Sequence, residues 1–156
     1  MKPSVLVLDV DGVLTDGGIY VDNQGRESIR FNVHDGYGIR SWIDAGGDCV
    51  WISGRDNPSV AARAENLGIN SLFMGVTDKI AVLEQYIRSR DLQWDDVVYI
   101  GDDIVDIEPI RRAAIGVAVA SAVPEVKDAA DMITQRMGGY GAVREVIDRL
   151  INHMHE

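Results

Sequence analysis

Short, unbroken apolar runs alternate along this chain with longer segments of helical periodicity. Residues 4–9, 48–53, 71–76, 96–101 and 115–120 are apolar with little polar alternation. That is the pattern of strands buried on both faces of a parallel sheet. Helical patterns fill the gaps. Residues 58–67 stop at Gly68, residues 78–90 place Ile80, Leu83 and Ile87 on one face, and residues 143–151 form a third amphipathic stretch. Strand–helix alternation of this kind predicts an α/β fold, a doubly wound, mainly parallel, Rossmann-like sheet with helices on both faces. One segment breaks the rhythm. Residues 18–22 and 26–31, joined by Asn23-Gln24-Gly25, predict a β-hairpin inserted after the first strand. Its Ile19, Val21, Ile29 and Phe31 make an apolar face that needs cover. Segment 17–33 is therefore expected at a subunit interface, the alternative being a hairpin folded back on its own sheet.

Composition narrows the picture. The 156 residues fit a single domain spanning 1–156, and 46% apolar with 26% charged residues is a soluble globular balance. No apolar run approaches the ~20 residues that span a bilayer. The first residues lead directly into a strand-like run, unlike a signal peptide. The single cysteine, Cys49, permits no internal disulfide and sits in an apolar stretch as a small core residue. Together these features predict a cytoplasmic protein. A net charge of −10 argues against nucleic acid and anionic membranes as partners. The same charge opposes a phosphorylated substrate unless a cation neutralises acidic groups locally.

Candidate chemistry sits where the apolar runs stop. Asp9 and Asp11 follow the first run, and Asp102, Asp103 and Asp106 follow the fourth. In open α/β sheets ligands bind beyond the carboxyl ends of the strands, and parallel strands bring those ends to one edge. Clustered carboxylates repel one another there. A cation relieves that repulsion, and an oxygen-only donor set selects magnesium over zinc. Any single aspartate could instead cap a helix or tighten a turn, but both groups at strand ends favour a metal-assisted site. Ser53-Gly54-Arg55 ends the second run. A hydroxyl and a Gly-freed N–H there suit phosphate oxygens, although a plain turn would look similar. Lys79 opens the helix after the third run, where the helix dipole disfavours a cation. That placement points to a functional charge rather than an ordinary surface lysine.

In order along the chain, Asp9-Val10-Asp11-Gly12-Val13, Ser53, Lys79 and Gly101-Asp102-Asp103-Ile104-Val105-Asp106 resemble the four motifs of the haloacid dehalogenase superfamily of phosphohydrolases. The resemblance implies Asp9 as nucleophile, forming a phosphoaspartyl intermediate, and Asp11 as general acid–base. It implies Ser53 and Lys79 on the transferring phosphoryl group. Magnesium would be held by Asp9, the Asp11 backbone carbonyl and Asp102. Asp103 would support the metal shell and Asp106 would orient Lys79. Residues 12–17, the hairpin, residues 31–39 and residues 138–145 are similar to a capless subgroup. It contains the 3-deoxy-D-manno-octulosonate 8-phosphate phosphatases, nonulosonate phosphate phosphatases and domains fused to acylneuraminate cytidylyltransferases. This implies no cap domain, a small phosphorylated sugar-acid substrate, a homotetramer assembled through its hairpins, and a glycine-rich segment near the active-site mouth.

His34 stands where the octulosonate phosphatases carry arginine. An imidazole lacks the two-pronged grip of a guanidinium on a carboxylate, so Arg40, Arg55 and Arg144 become candidates to compensate. His34, Ser53, Gly54, Arg55 and Lys79 make up the expected phosphate and substrate contacts. His153 and His155 belong to a terminus expected to fray.

The expected activity is hydrolysis of 3-deoxy-D-manno-octulosonate 8-phosphate. The alternatives are a nonulosonate 9-phosphate phosphatase and a non-catalytic accessory domain. A signalling receiver domain also combines an acidic cluster, a hydroxyl and a lysine, but its phosphate acceptor follows a middle strand, where this chain has Ser53.

Overall fold

The computed structural model describes residues 3–153. Its first strand, β1 (Val5–Asp9), is buried along its whole length. A tight looped segment, Val10–Leu14, follows. The hairpin is β2 (Tyr20–Val21) paired antiparallel with β3 (Glu27–Ser28). Then come α1 (Val33–Asp44), β4 (Asp48–Ile52), α2 (Pro58–Leu67), β5 (Ser71–Phe73) and α3 (Lys79–Ser89). The second half runs β6 (Val97–Gly101), α4 (Ile107–Arg112), β7 (Ile115–Ala118), α5 (Pro124–Ala129), β8 (Met132–Ile133) and α6 (Ala142–Asn152).

Six strands form one parallel sheet in the order β5-β4-β1-β6-β7-β8. From β1 the chain winds outward through β4 to β5, then returns across the sheet to β6 and winds the other way. Right-handed crossovers in opposite directions place helices on opposite faces. The contacts agree: α1 packs on α2 and α6, while α4 packs on α3 and α5. The reversal of strand order falls between β1 and β6, the position at which such sheets bind ligands.

Local sequence explains the elements. Asn32 caps α1 by accepting from the His34 and Asp35 N–H groups at 2.8 and 3.3 Å. Asn57 caps α2 by accepting from the Ser59 N–H at 2.9 Å, with Pro58 opening the helix. The core is built on the central strands, whose Leu6, Leu8, Trp51, Tyr99 and Ile100 are fully buried. Trp42 locks the end of α1 to the start of β4, its indole N–H donating to the Asp48 carbonyl at 2.8 Å.

The predicted hairpin is present but much shorter, and its apolar face is divided. Ile29 and Phe31 fold back on the chain's own core, where Phe31 stacks on Trp51 with centroids 6.1 Å apart. Ile19 and Val21 remain exposed. Strand β8 was not predicted because two residues make no recognisable run. The segment between β1 and α1 holds the hairpin and, among the described residues, no cap domain. No helix among them is long and apolar enough to cross a membrane.

Candidate active site

The carboxyl ends of β1, β4 and β6 and the start of α3 converge on one cleft of about 680 Å³, lined in part by Asp9, Asp11, Arg55, Lys79, Asp102 and Asp103. Asp9 is the last residue of β1 and Ser53 directly follows β4. Lys79 is the first residue of α3, which Asp78 caps by accepting from the Ala81 N–H at 3.0 Å. Backbone topology thus gathers side chains that are distant in sequence.

Lys79 is the electrostatic hub. Its Nζ lies 2.9 Å from Asp9 Oδ1 and 2.8 Å from Asp106 Oδ1, and all three residues are buried. Burial opposes the ammonium charge, but Asp9 and Asp106 outweigh it and hold the Lys79 pKa above its ordinary value. Asp106 is saturated. Its Oδ1 accepts from Lys79 and, at 2.6 Å, from the Tyr99 hydroxyl, while its Oδ2 accepts from the Asp102 and Asp103 N–H groups at 3.0 and 3.2 Å. Asp106 therefore fixes both the lysine and the turn that presents Asp102.

One carboxylate oxygen from each of Asp9, Asp102 and Asp106 lies within 4.8 Å of the others. Since Asp106 has its donors in place, Asp9 and Asp102 are the groups free to hold a cation. Burial pushes Asp9 well above the usual carboxylate range, with repulsion from Asp106 next. Burial likewise pushes Asp102 up to about 6. Such a pair is relieved by a positive charge between them, and oxygen-only donors suit a hard divalent cation. The backbone makes room for the arrangement. Gly12 has φ +86°, and a Cβ there would lie 1.9 Å from Asp102 Oδ2. Across the cleft, Ser53 Oγ lies 3.4 Å from Asp11 Oδ2 and accepts from the Arg55 N–H at 3.2 Å. The Arg55 guanidinium is held at the rim by Glu27 of the hairpin.

Comparison with known proteins agrees with this geometry. The family model for haloacid dehalogenase-like hydrolases matches residues 68–147. The chain is 42% identical over 147 residues to the 3-deoxy-D-manno-octulosonate 8-phosphate phosphatase of Yersinia pestis, covering 94% of this chain and 79% of that protein. The chain belongs to the haloacid dehalogenase-like hydrolases. Among solved structures, a crystal structure of the Yersinia pestis phosphatase superposes with a TM-score of 0.96 at 40% identity, covering 98% of this chain and 83% of that one. The Moraxella catarrhalis phosphatase, solved with magnesium, phosphate and KDO, superposes with a TM-score of 0.94 at 33% identity, covering 96% and 86%.

Within this hydrolase fold the expected residues separate into two groups. Asp9, Asp11, Ser53, Gly54, Arg55, Lys79, Asp102, Asp103 and Asp106 all lie in or directly beneath the cleft. The Asp103 side chain turns back to accept from the Ile104 N–H at 2.8 Å, so it shapes its own turn. His34 does not line the cleft. It lines a separate groove of about 510 Å³ with Arg136, Arg144 and Arg149. Asn32 starts α1 in a direction that packs its first turns against α6, and His34 goes with them.

Arg40 is occupied by the Leu67 carbonyl at 3.0 Å and Asp44 at 2.7 Å, and Arg144 by Asp148 at 2.8 Å. Of the three candidate arginines only Arg55 reaches the cleft. The glycine-rich segment packs beside the site without lining the cleft. It lies against the loop that follows Asp9: a Cβ on Gly138 would lie 1.7 Å from the Gly12 carbonyl oxygen. His155 lies outside the described residues. Sequence reasoning missed Tyr99, whose hydroxyl is hidden in an apolar strand. Its one signal is a polar atom inside the run Val97–Gly101, where a buried hydroxyl requires a partner.

Proposed function

We propose that this chain is a magnesium-dependent phosphatase that hydrolyses the phosphate monoester of a small sugar acid through a phosphoaspartyl intermediate on Asp9. The favoured substrate is 3-deoxy-D-manno-octulosonate 8-phosphate. The observation that carries the reading is the buried Asp9–Lys79–Asp106 array beside Asp102 at the β1/β6 reversal. It joins a carboxylate nucleophile, a fixed cation for phosphoryl oxygens and an oxygen-only metal site. The names of the Yersinia and Moraxella relatives support the substrate class.

Asp9, the Asp11 backbone carbonyl and Asp102 would hold the magnesium ion, which supplies positive charge against the attacking carboxylate and the phosphate oxygens. A carboxylate oxygen of Asp9 attacks phosphorus in line. The ester P–O bond breaks, and its electron pair leaves on the sugar oxygen, which takes the proton of the Asp11 carboxyl. Water then attacks the phosphoaspartyl phosphorus and gives its proton to the Asp11 carboxylate. The bond to Asp9 breaks, and inorganic phosphate leaves. Lys79, Ser53 and the backbone around Gly54 bind the phosphoryl oxygens as their charge redistributes. Arg55 stands where a sugar-acid carboxylate can meet it. Assembly into a homotetramer is supported by the exposed Ile19, Tyr20 and Val21, 44%, 59% and 60% accessible, which a neighbouring subunit would cover. A cytoplasmic location is supported by the acidic composition and the single buried cysteine.

The test is phosphate release with added magnesium across eight- and nine-carbon sugar-acid phosphates. The expected result is the highest kcat/KM on the eight-carbon ester, with activity lost on chelation and regained with magnesium. Preference for a nine-carbon ester would reassign the substrate, and no release from any ester would overturn the reading.

A further inference from the structure

Arg30 lies outside the cleft, yet it ties together the segments that hold the catalytic loop. Its Nη2 donates to the Gly139 carbonyl at 2.8 Å, and its Nε donates to Asp16 Oδ2 at 3.3 Å. Its guanidinium lies 4.3 Å from the centroid of the Tyr140 ring. Asp16 ends the loop that begins at Asp9. The Gly18 N–H holds its carboxyl below the ordinary range, with Arg30 contributing further. The glycine turn that Arg30 grips abuts the same loop. The Gly139 N–H donates to the Val13 carbonyl at 3.0 Å, and Gly138 packs against the Gly12 peptide. From inside, the Thr15 hydroxyl accepts from the Gly12 N–H at 3.2 Å. The Gly12 N–H is thus held by Thr15, and the next peptide, from Gly12 to Val13, abuts a turn that Arg30 grips. In contrast, the only hydrogen bond of the Asp11 side chain among the described residues is a long one, 3.4 Å, from the Ser53 hydroxyl.

We propose that Arg30 is a positioning residue for Asp11, clamping the 10–16 loop against the 138–141 turn so that the Asp11 carboxyl reaches the leaving-group oxygen. The inference rests on the phosphatase reading and on Asp11 as the proton donor. Its consequence is selective. An alkyl phosphate needs a proton on its departing oxygen, whereas an activated aryl phosphate such as p-nitrophenyl phosphate leaves as a stable phenolate without one. Loss of the clamp should therefore slow the alkyl ester far more than the aryl ester.

The experiment measures kcat and KM for 3-deoxy-D-manno-octulosonate 8-phosphate and for p-nitrophenyl phosphate in wild type, Arg30→Met, Arg30→Lys and Asp11→Asn. Arg30→Met is expected to lower kcat/KM, which covers the steps up to departure of the alcohol, about tenfold on the alkyl ester, a fraction of what general acid catalysis contributes, and less than about threefold on the aryl ester. The hydrolysis of the phosphoaspartyl intermediate is common to both esters, so any loss in that step appears equally in both kcat values. Arg30→Lys should fall between wild type and Arg30→Met, and Asp11→Asn should show the same skew more strongly. Equal losses of kcat/KM on both esters, or no loss on either, would overturn the positioning role while leaving the phosphatase reading intact. Wild type releasing phosphate from neither ester would overturn that reading and this inference with it.

Discussion

Four donors converge on the two oxygens of Asp106, and none can be redirected. Lys79 and Tyr99 point at Oδ1, and the Asp102 and Asp103 N–H groups point at Oδ2. Asp106→Asn is nearly isosteric, but one acceptor becomes an NH₂ donor. In either orientation of the amide, two donors then face a third. Each unsatisfied buried donor costs about 1–3 kcal/mol. Lys79 also loses one of its two counter-charges, though Asp9 at 2.9 Å still holds it. The expected loss of stability is therefore about 2–5 kcal/mol, or roughly 5–15 °C in Tm for a domain of this size. With Lys79 released from one side, its ammonium no longer stays in register with the phosphoryl oxygens. Removing a comparable preorganised donor costs about 10²–10³ in kcat. Thermal unfolding followed by circular dichroism, together with phosphate-release kinetics, reads both effects. An Asp106→Asn variant within about 2 °C of wild type in Tm and within twofold in kcat would refute the convergent-donor argument.

Further predictions test other links. Asp9→Asn should abolish turnover and leave the fold intact, since its side chain keeps an oxygen for Lys79; turnover like wild type would sink the nucleophile assignment. Gly138→Ala should lower kcat about 100-fold and destabilise by about 1–3 kcal/mol, because the colliding atoms are backbone of the catalytic loop; kcat and Tm like wild type would contradict the packing. Asp35, in the first turn of α1, is buried against the start of α6, where Oδ1 accepts from the Arg144 N–H at 2.9 Å and Oδ2 has no hydrogen-bond partner among the described residues. Burial raises its pKa, so the folded state holds that proton more tightly than the unfolded state. Its contribution to stability therefore falls as pH rises out of the ordinary carboxylate range and into the raised one. Asp35→Asn keeps an acceptor oxygen and should gain stability relative to wild type between about pH 4 and pH 7 in urea unfolding; the opposite trend would refute this.

The sheet and the residues gathered in the cleft were legible because both depend on local signals. The runs at Val5–Asp9, Asp48–Ile52 and Val97–Gly101 announce buried parallel strands, and the aspartates stand at their ends. The start of α3 was equally visible, since Asp78 is a cap and Lys79 is out of place for a helix dipole. What sequence could not show was direction. His34 and Arg144 belong to helices whose packing turns them toward each other, with Arg144 Nη1 at 3.5 Å from the His34 carbonyl. No periodicity in either segment reveals that they share a groove away from Asp9. Helix α1 was hard to delimit because Gly36, Gly38 and a buried Asp35 interrupt its apolar stripe. Nor could sequence show which backbone the glycines at 138 and 139 approach. That partner, the peptide between Gly12 and Val13, is more than a hundred residues earlier in the chain.

The pairing of Arg55 with Glu27 ties the cleft rim to the hairpin only weakly. Both side chains are partly open to solvent, at 36% and 41%. Such a pair contributes at most about 1 kcal/mol. Glu27 therefore keeps the guanidinium extended at the rim as a weakly bound placeholder. Since Glu27 belongs to the hairpin, any anion that takes the guanidinium from it also releases this tie between the hairpin and the cleft rim, at a cost of at most about 1 kcal/mol.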